Sequence, residues 1–243
     1  MQRLALQTLQ TIIPQTNNLR LTFDLPTLDE LFPAFHAGDF AVLYGSQSVT
    51  FLMSQLCIRA HLPIEQGGLD SKTVFIDAAN SSSLPTILQT AELQQIDPKK
   101  VLEQIQSFRA YTAYRLHSLL IEQLEQIIKT SDAKLVVISD IMCPFLTENI
   151  DDQEARTAYN QLVNYLSNFA KKHAIIIVAT NLPHENTQRN KTLQEISAAK
   201  AGILVRLTKT PYTSEIELEK HPTYMLGIMD FRPENKTLTT FNH

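Results

Sequence analysis

The chain has 243 residues, 44% of them hydrophobic and 19% charged, which suits one large α/β domain, or a core with small extensions, and excludes a disordered chain. Its formal charge of -4 argues against a protein held on nucleic acid mainly by phosphate neutralisation, because such chains are usually basic. The two cysteines, Cys57 and Cys143, make no zinc or haem spacing and lie in apolar surroundings, so two buried, reduced thiols are expected.

The opening MQRLALQTLQ has no long apolar stretch, and the first twenty residues read as a short helix and a linker. The core is expected to occupy residues 28–243, with 1–27 as an extension. DFAVLY (39–44) reads as a buried strand and TFLMSQLCIRA (50–60) as a helix. KTVFIDA (72–78) is a second strand and SLPTILQTAELQQ (83–95) a second helix. Asp97 followed by Pro98 marks the start of another short helix. SFRAY (107–111) is a short strand, and RLHSLLIEQLEQIIK (115–129) an amphipathic helix. KLVVISD (134–140) is a third strand, followed by a polar loop and a long helix from about Glu154 to Lys172. AIIIVAT (174–180) is a fourth strand, and residues 183–200 read as a polar loop. GILVRLTK, TSEIELEK and YMLGIMDF then read as antiparallel strands at the sheet edge. Near-continuous apolar strands alternating with helices imply a mostly parallel sheet covered on both faces. The longest apolar runs have strand length, far short of a membrane span, so a cytoplasmic protein is expected.

Residues 28–56, 61–80 with EQGGL, 97–123 with FRAY, 134–145 and 174–184 together resemble, in order and spacing, the RadA recombinase family of RecA-type ATPases. LDELFPAFHAGDFAVLYGSQSVTFLMSQL (28–56) is similar to the turn, strand, phosphate loop and helix of that family. HLPIEQGGLDSKTVFIDAAN (61–80) resembles its Q-L-P-P-E-E-G-G-L segment and following strand. Residues 97–123, with FRAY, resemble its D-P-x-x-V-L and A-R-A-Y segment; KLVVISDIMCPF resembles its Walker B strand; and AIIIVATNLPH resembles the strand ending in V-T-N-Q. The resemblance runs from about Leu28 to Phe231. It implies a RecA-like fold with C-terminal antiparallel edge strands and a part in archaeal-type homologous recombination, where RadA forms filaments on single-stranded DNA.

The departures from the family pattern fall on the residues that would handle ATP. A phosphate loop reads G-x-x-x-x-G-K-[ST], so that backbone N–H groups cradle phosphates, lysine neutralises them and the hydroxyl holds Mg²⁺. Here GSQSVT (45–50) is two residues short, lacks the second glycine and carries Val49 at the lysine position. The family's catalytic glutamate falls on Ala79, its Walker B aspartate on Ser139 and its coupling glutamine on Leu182. Asp140 is displaced by one position and, on a strand, would point to the opposite face. Gly45, Ser46 and Thr50 are the residues left that could approach a phosphate or Mg²⁺; ordinary turn and cap residues are the alternative.

The DNA-facing segments differ as well. Residues 146–158 carry Glu148, Asp151, Asp152 and Glu154 against Arg156, where the family is glycine-rich and basic. Residues 183–200 keep His184, Arg189, Lys191 and Lys200, a set that allows a weak single-stranded DNA contact. The resemblance implies that the family's N-terminal DNA-binding domain is missing upstream of Leu28, and Phe108 stands where an alanine opens the pocket for a polymerisation peptide. His221 falls near the segment that caps ATP across a subunit boundary, a position from which it could serve a partner's site. These residues together lead to a non-catalytic RadA paralogue, a pseudo-ATPase needing neither ATP nor Mg²⁺, that binds RadA or other paralogues as an accessory factor in DNA repair. The alternatives are a weak or trans-complemented DNA-dependent ATPase and a KaiC-like scaffold or signalling module.

Overall fold

The computed structural model describes residues 19–79, 83–147, 150–210 and 213–230. The helix expected in the first twenty residues, Glu148 and Phe231 lie outside the described residues.

The core starts upstream of the expected boundary at residue 28. Leu19, Leu21 and Phe23 are buried, and strand β1 (Arg20–Leu21) pairs antiparallel with β2 (Phe35–His36) around helix α1 (Pro26–Leu31). The cause is aromatic packing: Phe23, Phe32 and Phe35 meet edge to face at centroid distances of 4.6–6.1 Å. Strand β3 (Phe40–Gly45) and helix α2 (Val49–Arg59) follow, then a turn containing the double glycine. The turn holds down the N-terminal segment: Thr22 N–H donates to Gly67 O, and the Arg59 guanidinium bonds Asp24 and Gln66 O. A Cβ on Gly68 would lie 2.1 Å from Leu62 O, so only glycine fits there.

Beyond that turn come β4 (Thr73–Asp77), α3 (Ser83–Leu93), α4 (Pro98–Glu103) and β5 (Ile105–Arg109). The α4 start matches the expectation: Asp97 Oδ1 accepts the Lys99 N–H and Pro98 opens the helix. The next helix runs as α5 (Ala113–Ser118), a π-helical turn over Leu119–Gln123, and α6 (Leu124–Ser131). Strand β6 (Leu135–Ser139) leads to a 3-10 turn at Cys143–Phe145, the long α7 (Asp152–His173) and β7 (Ile176–Asn181).

The segment expected as a loop at 183–200 is largely helix, α8 (Gln188–Lys200). Its inward face is small and mostly polar (Asn190, Leu193 and Ser197), so no apolar period marks it in the sequence. The readable signal is its cap, where Thr187 Oγ1 accepts the Asn190 N–H at 3.1 Å. Because α8 intervenes, β8 (Ile203–Lys209) joins β3 in parallel. Only β9 (Ser214–Lys220) and β10 (Gly227–Asp230) extend the sheet antiparallel.

The strand order is β10-β9-β8-β3-β7-β6-β4-β5, with β8 to β5 parallel. Side chains alternate between two cores. Ala41, Leu43, Phe75, Val137 and Val178 face α2 and α3, whereas Phe40, Val42, Ile76, Ile138 and Ala179 face α5, α7 and α8. Among the described residues no helix is long and apolar enough to cross a membrane.

Candidate functional site at the carboxyl edge of the sheet

In open parallel sheets ligands bind beyond the carboxyl ends of the strands. Here β3, β4, β6 and β7 end on that edge at Gly45, Asp77, Ser139 and Asn181. The turn from β3 into α2 holds Gly45, Ser46 and Thr50. Its backbone donors point back into the turn: Val49 N–H reaches Ser46 O at 3.2 Å, Thr50 N–H reaches Gln47 O at 3.1 Å, and Phe51 N–H reaches Ser48 O at 3.1 Å. Thr50 Oγ1 donates to Gln47 O at 2.7 Å, and Ser46 Oγ accepts the Ser48 N–H. Val49 is fully buried. Gly45 has φ +112°, and a Cβ there would sit 2.2 Å from Leu207 O; close approach to β8 demands this glycine. A magnesium triphosphate needs free N–H groups and a cation at this turn. The residues present, with the Ser48, Val49, Thr50 and Phe51 N–H groups bonded within the turn and a buried valine at the lysine position, do not fit that group.

Ala79 follows β4, its N–H held by Asp77 Oδ1 at 3.2 Å. Ser139 ends β6 fully buried. Asp140 lies past the strand, in a left-handed conformation (φ 51°), so the strand alternation expected to turn it to the opposite face does not apply. Its side chain is 1% exposed and instead meets the loop after β7. Asp140 Oδ1 accepts the Leu182 N–H at 3.2 Å, and Oδ2 lies 2.8 Å from His184 Nε2. Asp140 N–H donates to Thr180 Oγ1 at 2.9 Å, and Cys143 N–H to Asp140 O at 3.1 Å. The hydrogen bond to Asp140 raises the His184 imidazole above its usual range, against the opposing effect of burial. Cys143 is half-buried, not fully buried as expected, while Cys57 is buried. Burial, helped by the nearby Asp140 and Asp77 carboxylates, pushes the Cys143 thiol up to about 11, so it stays protonated at neutral pH.

The acidic stretch after β6 has a local structural role. Asp151 caps α7, accepting the Gln153 and Glu154 N–H groups, and Asp152 and Glu154 sit in the first turn, where carboxylates oppose the helix dipole. Arg189 pairs with Asp152 and donates to Thr147 O (2.6 Å) and Ile150 O (2.8 Å), so its guanidinium fastens α8 to that loop. Lys191 and Lys200 are exposed on α8. At 100° per residue, their nine-residue spacing places them on opposite sides of the helix. Phe108 packs against the core beneath the edge strand β5. His221 stacks on Tyr224 at 4.1 Å, its Nδ1 accepting the Thr223 and Tyr224 N–H groups. Sequence reading set His184 among the basic residues and did not join it to Asp140 and Cys143, which lie more than forty positions away.

The parallel sheet with helices on both faces, the β3-turn-α2 unit and the antiparallel extension define a RecA-like α/β domain. A family model described as Rad51 matches residues 19–202, more than half of the chain. The chain belongs to the Rad51 family. It is 27% identical over 169 residues to a maize (Zea mays) protein named DNA repair protein RAD51 homolog B, a match covering 67% of this chain and 49% of the relative. It is 28% identical over 159 residues to a DNA repair and recombination protein RadA from Metallosphaera sedula, covering 64% and 46%. The chain thus spans about half the length of these curated relatives.

Proposed function

We propose that this chain is a non-catalytic Rad51-family paralogue that serves homologous recombination and DNA repair as an accessory or regulatory factor, binding RadA or other paralogues. The observation that carries this reading is the 45–50 turn, whose Val49, Thr50 and Phe51 N–H groups are spent on its own carbonyls while Val49 is buried. Phosphoryl transfer depends on positioning and electrostatic stabilisation, and this turn supplies neither to a triphosphate. Ala79, in place of the glutamate, offers no base to orient water. A fold kept without that chemistry suits a binding role, and the two relatives above are DNA repair proteins by name. Direct contact with single-stranded DNA is minor in this proposal, since Arg189 is engaged within the fold and Lys191 and Lys200 do not form one patch.

The test is co-elution of the purified chain with RadA from the same source, with and without single-stranded DNA, alongside Mg-ATP calorimetry. Co-elution without ATP binding supports the proposal. No co-elution under either condition sinks the RadA-partner reading and favours a scaffold role outside recombination. Micromolar Mg-ATP binding moves the function to a weak or trans-complemented ATPase.

A further inference from the structure

The geometry points to a binding site for a single Zn²⁺ ion made by Asp140, Cys143 and His184. Their donor atoms, a carboxylate oxygen, a thiol sulfur and an imidazole nitrogen, all lie within 4.8 Å of one another. Among the described residues this is the group of His, Cys, Asp and Glu side chains that comes together in this way. In tetrahedral zinc sites such donors sit about 3.3–3.7 Å apart, so a shift of about 1 Å closes the ring. Asp140 is buried while Cys143 and His184 are half-exposed, which leaves an entry path from solvent.

Three features favour an ion over a simple imidazole–carboxylate pair. The donors come from two pieces of chain far apart in sequence: Asp140 and Cys143 on the turn after β6, and His184 on the loop after β7. The carboxylate is already oriented, because the Leu182 N–H holds Oδ1 and leaves Oδ2 toward His184. Such outer hydrogen bonds are the usual means by which a metal ligand is aimed. The third donor is a thiol, which the pair would not need. Sulfur with imidazole selects a borderline-soft ion such as zinc over magnesium or calcium, which require oxygen donors. On binding, the Cys143 S–H bond breaks, its proton leaves to solvent, and the thiolate sulfur bonds the metal. His184 binds as a neutral imidazole, so the proton between Nε2 and Asp140 leaves to solvent from an imidazolium, or passes to Nδ1 from a neutral ring. Three protein ligands leave a fourth position for water or a partner's side chain. The ion would staple the loops after β6 and β7 together, and this inference stands independently of RadA binding.

The experiment titrates the metal-stripped full chain with Co²⁺ and then displaces it with Zn²⁺. The expected result is one equivalent of tetrahedral cobalt with a thiolate-to-cobalt charge-transfer band that zinc abolishes. Cys143→Ser removes that band, and His184→Ala weakens binding by about 10–100-fold or more. As a measurement free of variants, zinc should slow iodoacetamide labelling of Cys143 in the parent chain. Absence of the charge-transfer band, its persistence in Cys143→Ser, or unchanged labelling of Cys143 overturns the inference.

Discussion

Single residues carry sharp, separable consequences in this chain. Gly45 combines φ +112° with the Leu207 carbonyl 2.2 Å from its missing Cβ. Gly45→Ala is therefore expected to cost at least about 1–3 kcal/mol in denaturant unfolding, whether or not any nucleotide is present. Val49→Lys would restore the family's residue type but place an ammonium at a fully buried position. The expected outcome is a loss of about 3 kcal/mol or more and no gain of ATP hydrolysis; measurable turnover in this variant would show that the turn can open to a phosphate. His61 gives a pH signature. Burial holds its imidazole below the usual range, against the hydrogen bond to Ser71 O. The folded state then binds its proton less readily than the unfolded one. Its contribution to stability is present above the unfolded value of about 6.5 and is lost as pH falls through the lower folded value. His61→Gln should lose less stability than the parent between neutral and mildly acidic pH, and parallel pH profiles of the two melting temperatures would contradict this.

At the scale of elements, the junction of α7 and α8 depends on polar contacts. Asp151 caps α7, and Arg189 of α8 bonds the carboxylate of Asp152 and the carbonyls of Thr147 and Ile150. Asp151→Ala should cost about 1 kcal/mol and raise amide exchange in the first turn of α7. Arg189→Ala leaves those carbonyls without their donor and should cost about 1–3 kcal/mol, with weak or no change in single-stranded DNA affinity. A large drop in DNA binding with unchanged stability would instead place Arg189 at a nucleic-acid surface. The neighbouring helix keeps a π-helical turn at Leu119–Gln123, where Tyr165 Oη donates to Ile121 O at 3.4 Å.

For the whole molecule, the chain's own hydrogen bonds tie the β3-α2 turn to itself, and the Asp140–His184 pair links the segments after β6 and β7 at the same sheet edge. A ligand that binds only the folded state raises its melting temperature by mass action. Millimolar Mg-ATP is therefore expected to leave the melting temperature unchanged, and a clear upward shift would argue for an occupied site. The paired sheet also ends in two unlike edges. β5 is a parallel edge with Phe108 turned to the core, and β10 is an antiparallel edge with Ile228 exposed.

Elements whose apolar period is strong and local are legible from the residues alone. β3, β4, β6 and β7, together with α2, α3 and α7, lie within a few residues of their expected spans, and the Asp97-Pro98 cap opens α4 as read. Family membership is legible there too, because segments such as EQGGL are specific, and a Cβ on Gly68 within that segment would lie 2.1 Å from Leu62 O. Tertiary structure decided what depends on distant partners. α8 was invisible because its buried face is small and mostly polar, so its direction comes from packing against α7 rather than from hydrophobic spacing. The side that Asp140 faces follows from its left-handed conformation past the strand end, where the alternation rule does not reach. The acidic stretch after β6 supplies a helix cap and an anchor for Arg189, and that anchor depends on where α8 places Arg189. The approach of Asp140, Cys143 and His184 is likewise a product of parallel pairing between β6 and β7: that pairing ends both strands at one edge and brings together side chains more than forty residues apart.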